Sequence, residues 1–351
     1  MPLTLRVDGE RWRDHLLRTA AEYGPPGSRH GIVPVAKGNG YGLGIAGLAR
    51  RADWLGVDTV AAGTYEETAG VLSRFGGDVL VLSPWRPFLD EVPDSDRVVH
   101  TVSRVVDLEA IGATRPGARV VVEALTSMSR HGLTRHELAA AATAVRAGRL
   151  RLAGLALHLP LAGEHEPEAE EWAAVLDASR LDTNTLWVSH LGPAELARLR
   201  ERRPGLDVRP RVGTALWLGD RDALRATATV LDKHTVSRGE RVGYRQRALP
   251  RSGTVLVVAG GTAHGIGLEA PIAGTSVRQR AVSLARGGLD AAGLTRSPYT
   301  VGGKQRWFVE PPHMQASLLF VPGEANAPEV GDEVDVDVRF TATTFDRVLI
   351  D

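Results

Sequence analysis

The stretch Gly31 to Gly44, GIVPVAKGNGYGLG, runs apolar residues into a single charge and then into alternating glycines. Gly31 to Ala36 reads as a strand buried on both faces, because aliphatic residues follow one another there without polar alternation. Lys37 closes the run. The glycine-rich turn after it leads into a helix-like segment, Gly42 to Trp54, so the stretch opens a β-then-α unit.

The same unit recurs along the chain. Apolar runs at Gly31 to Lys37, Asp58 to Ala62, Asp78 to Ser83, Val98 to Val102, Arg119 to Leu125, Leu152 to His158, Thr185 to His190 and Leu206 to Val212 alternate with amphipathic segments. These include Tyr65 to Phe75, Arg135 to Ala147 and Ala194 to Arg202. Eight repeats in roughly 200 residues predict an α/β fold, a (β/α)8 TIM barrel, over residues 1–221. A doubly wound open sheet is the alternative that the pattern alone allows.

After Trp217 helical periodicity fades. "LRATATVLDKHTV", "GTVLVVAGG", "QASLLFVP" and "EVDVDVRFTATTF" are strand-like and divided by turn signals such as Pro322-Gly323. They predict a second, mostly β-strand C-terminal domain over residues 222–351, against which the first strand of the chain can pack. Segment 268–305, rich in Gly, Arg and Ser, reads as an irregular insertion.

The 351 residues carry 42 acidic and 42 basic side chains, so no net field draws the chain to nucleic acid or to an anionic membrane. Small-molecule partners are expected instead. No cysteine is present, which removes disulfides, thiolate nucleophiles and cysteine-bound zinc. The N-terminus lacks a signal-peptide layout, and no apolar run approaches the ~20 residues of a membrane span, so a cytoplasmic location is expected. His165 among Glu164, Glu166, Glu168 and Glu170 reads as a solvated helix start, with no metal site. "GGTAHGIG" lacks the β-α-β setting of a dinucleotide loop.

Active sites of (β/α)8 barrels form at the C-terminal ends of the strands. Lys37 ends the first barrel strand, His158 the sixth, Ser189 and His190 the seventh, and Arg211 to Thr214 the eighth. A strand-end lysine can equally extend into solvent, His158 can be a satisfied core histidine, and Arg130, Arg211 and Tyr244 each have surface readings. The loops after the last two strands commonly hold phosphate, because backbone N–H groups converge there. A lysine opposite a phosphate pocket suggests pyridoxal 5'-phosphate held as a Schiff base.

At this point the chain resembles the alanine racemase family. "VAKGNGYGLG" is similar to that family's V-x-K-A-N-A-Y-G-H-G, "VEALTSMSRHGL" to V-x-V-D-T-G-M-x-R-L-G, "LALHLP" to its T-H-F segment and "RPRVGTALWLG" to R-x-G-I-A-x-Y-G. "SRGERVGYRQR" resembles the G-x-x-V-S-Y-G stretch, and "EPPHMQAS" stands where the family has a C-M-D-Q-like run.

The resemblance implies a PLP-dependent amino-acid racemase working as a homodimer with shared active sites. Lys37 would hold the cofactor and act as one base; Tyr244, from the partner subunit, would be the other. Tyr41, Ser189, Gly192, Gly213 and Thr214 would contribute to cofactor binding around the phosphate. Arg130 would bond the cofactor's phenolic oxygen and contact substrate, His158 would pack on the pyridine ring, and Arg211 would face its nitrogen. Met314, Thr262 and His264 would contact the substrate.

Departures from the family pattern are concentrated at the phosphate loop and the entrance. "LGPAE" replaces A-N-S-A-A, and "GGTAHG" replaces G-Y-A-D-G, which points away from alanine as the substrate. A decarboxylase of the same architecture and a non-catalytic ligand-binding homologue are the alternatives. Related decarboxylases normally present a cysteine from the partner subunit, and this chain has none.

Overall fold

The computed structural model describes residues 2–25, 31–268, 295–323 and 327–351. The chain divides into two compact units, Arg13–Asp220 and a second made of Met1–Trp12 with Arg221–Asp351. The first strand, β1 (Leu3–Val7), therefore counts with the C-terminal strands. Helix α1 (Gly9–Tyr23) spans the boundary in sequence.

Unit Arg13–Asp220 is the (β/α)8 barrel. Its strands are β2 (Val33–Ala36), β3 (Thr59–Ala62), β4 (Asp78–Val81), β5 (Val98–Val102), β6 (Arg119–Ala124), β7 (Arg151–His158), β8 (Thr185–Ser189) and β9 (Asp207–Val212). They pair in parallel in that order, and the β2–β9 pairing closes the ring. The helices between them are α2 (Ile45–Leu55), α3 (Thr68–Leu72), α4 (Val105–Thr114), α5 (Leu138–Ala147), α6 (Glu166–Ala178) and α7 (Pro193–Arg202), with α8 (Thr214–Leu218) after β9.

The unbroken apolar runs have a simple cause. One face of each strand fills the barrel, where Val33, Val35, Ala61, Leu80, Val99, Val121, Ala156 and Trp187 pack together. The other face meets the helices through a larger cluster that includes Val120, Val122, Leu155, Leu157, Leu186 and Val188 with Leu108, Leu138, Trp172 and Leu196. With both faces covered, polar alternation has no place.

The other unit is antiparallel apart from one pairing. After β1 come β10 (Leu224–Val236), β11 (Arg241–Val242), β12 (Arg247–Ala248), β13 (Gly253–Ala259), β14 (Arg296–Val301), β15 (Lys304–Phe308), β16 (Ala316–Pro322), β17 (Glu333–Val336) and β18 (Arg347–Ile350). The main sheet runs β13-β16-β15-β14-β17-β10-β1-β18, and β10 also pairs with β13, so six of these strands close on themselves. β11 and β12 form a separate hairpin.

Segment 268–305 corrects one expectation. Its last part is not irregular, since β14 and β15 form an antiparallel hairpin across Gly302-Gly303, both at positive φ (59° and 69°). Paired residues with φ > 0 suit the tight turn that matches strand twist. Positions 269–294 of that segment lie outside the described residues.

Candidate active site

Lys37 follows β2 directly, at the C-terminal mouth of the barrel, and keeps access to solvent. Partial burial, then the charges of Arg130 and Arg211, push its amine below the ordinary lysine range; Glu67 opposes them. The Glu67 carboxylate accepts N–H groups from Gly38 and Gly63, each at 2.7 Å, and so ties the loop behind Lys37 to the loop after β3.

Arg211, near the end of β9, is 5% exposed. One terminal nitrogen donates to the Leu157 carbonyl at 2.8 Å, while the buried Nε has no partner among the described residues. Burial lowers its pKa to about 10, with Glu123 opposing and Arg130 adding to the fall. Glu123 lies on β6 two residues beyond Val121, hence on the same inward face. It is 2% exposed, its Oε2 also lacks a partner, and burial raises its carboxyl against the pull of Arg211, Arg130 and Arg86. Buried polar atoms are nearly always satisfied, so an orphaned donor and an orphaned acceptor on coupled charges suit a site made for a third partner.

His158, Ser189 and Arg211 are register partners across β7, β8 and β9. Burial, followed by Arg211, Arg130, His190 and Lys37, pushes His158 down to about 3, so its ring is neutral near neutral pH. The His190 ring meets it edge-on at 5.2 Å between centroids, and His190 Nδ1 contacts the Leu159 carbonyl at 2.8 Å. Arg130 sits in the exposed loop after β6, and its charge acts on Lys37, Glu123, His158 and Arg211 alike.

Tyr41 occupies the left-handed region, φ 57° and ψ 28°, a conformation that costs a non-glycine residue about 1–2 kcal/mol. Burial, then Glu67, pushes its phenol up to about 12. Its hydroxyl lies over Gly213, where any side chain would collide with it. Behind this contact Trp217 Nε1 donates to the Val35 carbonyl at 2.7 Å, fastening the Gly213-Thr214 turn to the strand that precedes Lys37.

Gly192 departs from expectation. Its N–H is taken by Glu195 Oε2 at 2.8 Å, and Oε1 of the same carboxylate accepts from His165 and Glu166 at 2.9 and 3.2 Å. Glu195 thereby caps α7, and Pro193 behind Gly192 has no N–H to offer. This side of the mouth presents a carboxylate in place of free donors.

Tyr244, Thr262, His264 and Met314 belong to the other unit. Tyr244 is 86% exposed and packs on the His313 ring at 4.8 Å between centroids. Met314 is also exposed. Thr262 opens a short 3-10 turn and its N–H donates to the His313 carbonyl at 2.8 Å. His264 Nδ1 accepts the Gly261 N–H at 3.2 Å, which assigns the proton to Nε2, 3.2 Å from Asp346.

Sequence reading placed His190 at the rim without a role, and missed Glu67, Glu123 and Glu195. It also missed a compositional signal: only three of the 42 basic residues are lysines, and Lys37 is the only lysine between residues 13 and 220. A unit that otherwise uses arginine keeps one lysine amine where arginine could not form a covalent imine.

Residues 7–218 match the family model described as alanine racemase, N-terminal domain. The chain belongs to the alanine racemase family. Among curated members, the alanine racemase of Nitratiruptor sp. is 28% identical over 170 residues, 47% of either chain, so this match spans about half the relative's length. The alanine racemase of Nitratidesulfovibrio vulgaris is 29% identical over 328 residues, 85% of each chain. Among solved structures, alanine racemase from Bartonella henselae with covalently bound pyridoxal phosphate is 18% identical with a TM-score of 0.72 over 100% of both chains. Alanine racemase from Bacillus anthracis with bound L-Ala-P is also 18% identical, with a TM-score of 0.70 over 99% of this chain and 87% of that one. At such identities the structures establish a shared alanine racemase fold, and the sequence match establishes a diverged member.

Proposed function

We propose that the chain is a pyridoxal-phosphate-dependent racemase or epimerase acting on an amino acid or amino-acid derivative, as a homodimer that shares its active sites. The observation that carries this is Lys37: the one lysine amine of its unit, at the mouth of a barrel, with its pKa lowered in part by the charge of Arg211, whose buried Nε has no partner among the described residues.

The residues suit the cofactor. Arg211 offers an N–H, orphaned among the described residues, suited to a ring nitrogen acceptor, neutral His158 offers a flat ring to pack against, and the absence of a side chain at Gly213 lets the Tyr41 hydroxyl lie against the turn that would meet the phosphate. Tyr41, Ser189, Gly213 and Thr214 would hold the phosphate, and Arg130 the phenolic oxygen and the substrate carboxylate. Held on Lys37, the cofactor would withdraw electron density from the substrate and acidify its Cα–H bond. Arg211 keeps its proton, which leaves that withdrawal moderate and suits simple proton exchange.

Lys37, with a depressed pKa, would take or return the Cα proton on one face. Tyr244 of the partner subunit would serve the opposite face, since inversion needs a proton removed from one side and delivered to the other. Met314, Thr262 and His264 of the second unit would contact the substrate.

One observation favours a second reading, a ligand-binding homologue without turnover: Glu195 fills the donors that a phosphate would use at Gly192. Purified protein incubated with pyridoxal phosphate separates the two. A visible absorption band, trapped on Lys37 by borohydride, together with solvent deuterium entering Cα of one member of an amino-acid panel, is the expected result. A band without exchange supports the second reading, and no band in the wild-type chain removes the racemase reading and leaves only a homologue that binds some other ligand.

A further inference from the structure

Four contacts converge on one carboxylate outside the barrel. Glu310 is 6% exposed, and its Oε1 pairs with His313 Nε2 at 2.7 Å. It also accepts backbone N–H groups from Tyr244 and Arg245, the latter at 3.4 Å to Oε2. Gly243, at φ 74°, closes over the same group: a Cβ there would stand 2.5 Å from the carboxyl carbon. A left-handed glycine followed by two N–H groups aimed at one anion is the geometry of a backbone nest, here filled by the protein's own side chain.

The partners of this carboxylate are not scattered. Tyr244 stands at the tip of the β11–β12 hairpin, and its exposed ring rests on the ring of His313. His313 immediately precedes Met314, and its carbonyl receives the Thr262 N–H. Removing the one acceptor these donors share leaves them to water, so the hairpin tip and the His313 loop would lose their mutual placement together. Glu310 lies in the loop between β15 and β16, and its buried carboxylate joins that loop to the exposed tip of the β11–β12 hairpin without pairing any strands.

We propose that Glu310 is a positioning residue for the second half-site. Its carboxylate sets the backbone that carries Tyr244 and the imidazole against which the Tyr244 ring packs, and through His313 it holds the loop of Met314 and the turn of Thr262. The proposal rests on the reading of Tyr244 as the opposite-face base. A base displaced by about 1 Å loses on the order of a hundredfold in rate, so its support matters as much as its presence.

The test compares Glu310→Ala, Glu310→Gln and Tyr244→Phe with the wild-type chain, each loaded with pyridoxal phosphate. Deuterium incorporation is followed from the L and the D form of whichever amino acid in a panel exchanges fastest with wild type. Glu310→Ala should match Tyr244→Phe, losing roughly a hundredfold on one face while the Lys37 face and the absorption band are retained. Glu310→Gln, which keeps one oxygen acceptor, should recover part of the loss. Amide hydrogen exchange at residues 243–246 should quicken at least about tenfold in Glu310→Ala, in protein without cofactor as well.

Loss on one face in Tyr244→Phe but not in Glu310→Ala overturns the proposal and leaves Tyr244 as the base. Unchanged exchange in Tyr244→Phe, or none in wild type, overturns the reading of Tyr244 and this proposal with it. If Glu310→Ala does not fold, His313→Asn, which removes the ring beneath Tyr244 and leaves Glu310 in its nest, carries the same comparison, and one-sided loss is again the supporting result.

Discussion

The hydroxyl of Tyr41 lies directly over Gly213, so close that a Cβ on the glycine would stand 2.2 Å from the oxygen and 3.1 Å from Cζ. The contact joins the loop after β2 to the turn after β9 across the closing pair of the barrel.

Gly213→Ala should therefore push Tyr41 out of place. Overpacking of this kind costs about 1–3 kcal/mol, read as a lower urea midpoint, together with weaker retention of pyridoxal phosphate. Tyr41→Phe removes the clashing oxygen, so the double variant should regain stability but not cofactor affinity. Full stability in the single variant would mean that the two loops move independently.

Lys37 should react with an acylating reagent at lower pH than an ordinary lysine, followed by mass spectrometry of its peptide. Its pKa is lowered by burial, then by Arg130 and Arg211, and raised by Glu67. The signs give two opposite predictions: Arg130→Gln should shift the reactivity profile to higher pH, and Glu67→Gln to lower pH. Shifts in one common direction would show that charge does not govern this amine.

His100 on β5 is 3% exposed, contacts the Tyr65 hydroxyl at 2.9 Å, and burial, aided by Arg115, lowers its pKa from 6.5 to about 4. Between those values the unfolded chain binds a proton that the native chain does not. Stability is then full above the unfolded value and falls as pH drops toward the folded one, by on the order of 3 kcal/mol across the window. His158 contributes with the same sign. His100→Gln should flatten the acid limb of a urea-midpoint profile; an unchanged slope would exclude His100 as its cause.

Glu195→Gln keeps an oxygen for the Gly192 N–H but removes the charge. Helix-cap losses are about 1 kcal/mol or less when an acceptor survives, so folding should be little affected. Affinity for inorganic phosphate and for pyridoxal phosphate should rise roughly threefold as a like charge leaves the mouth. Weaker phosphate binding in the variant would mean that Glu195 supports the anion site indirectly.

The barrel was legible because its strands are covered on both faces, which writes β2 to β9 as uninterrupted apolar runs. Lys37, His158 and Arg211 were legible because polarity resumes where each strand ends. Glu123 was not, since a glutamate between valines and alanine reads equally as an edge residue, and only closure of the ring buries it. The occupant of the Gly192 N–H was hidden for a related reason: Glu195, three residues on, accepts it in only half of a capping box, since glycine has no side chain to return a bond and so leaves no motif to read. The β14–β15 hairpin was hidden by Pro298 and by flanking arginines, which mask alternation; its Gly302-Gly303 turn was the signal to weigh.

Strand β1 is hydrogen-bonded to β10 on one side and to β18 on the other. During synthesis this unit must wait for residues near 350 to leave the ribosome before its sheet is complete, whereas the last barrel strand ends at Val212. The amino-terminal strand is thus held without its carboxyl-terminal neighbour while the cylinder assembles, and refolding from denaturant should show a fast phase for the cylinder and a slower one for the sheet.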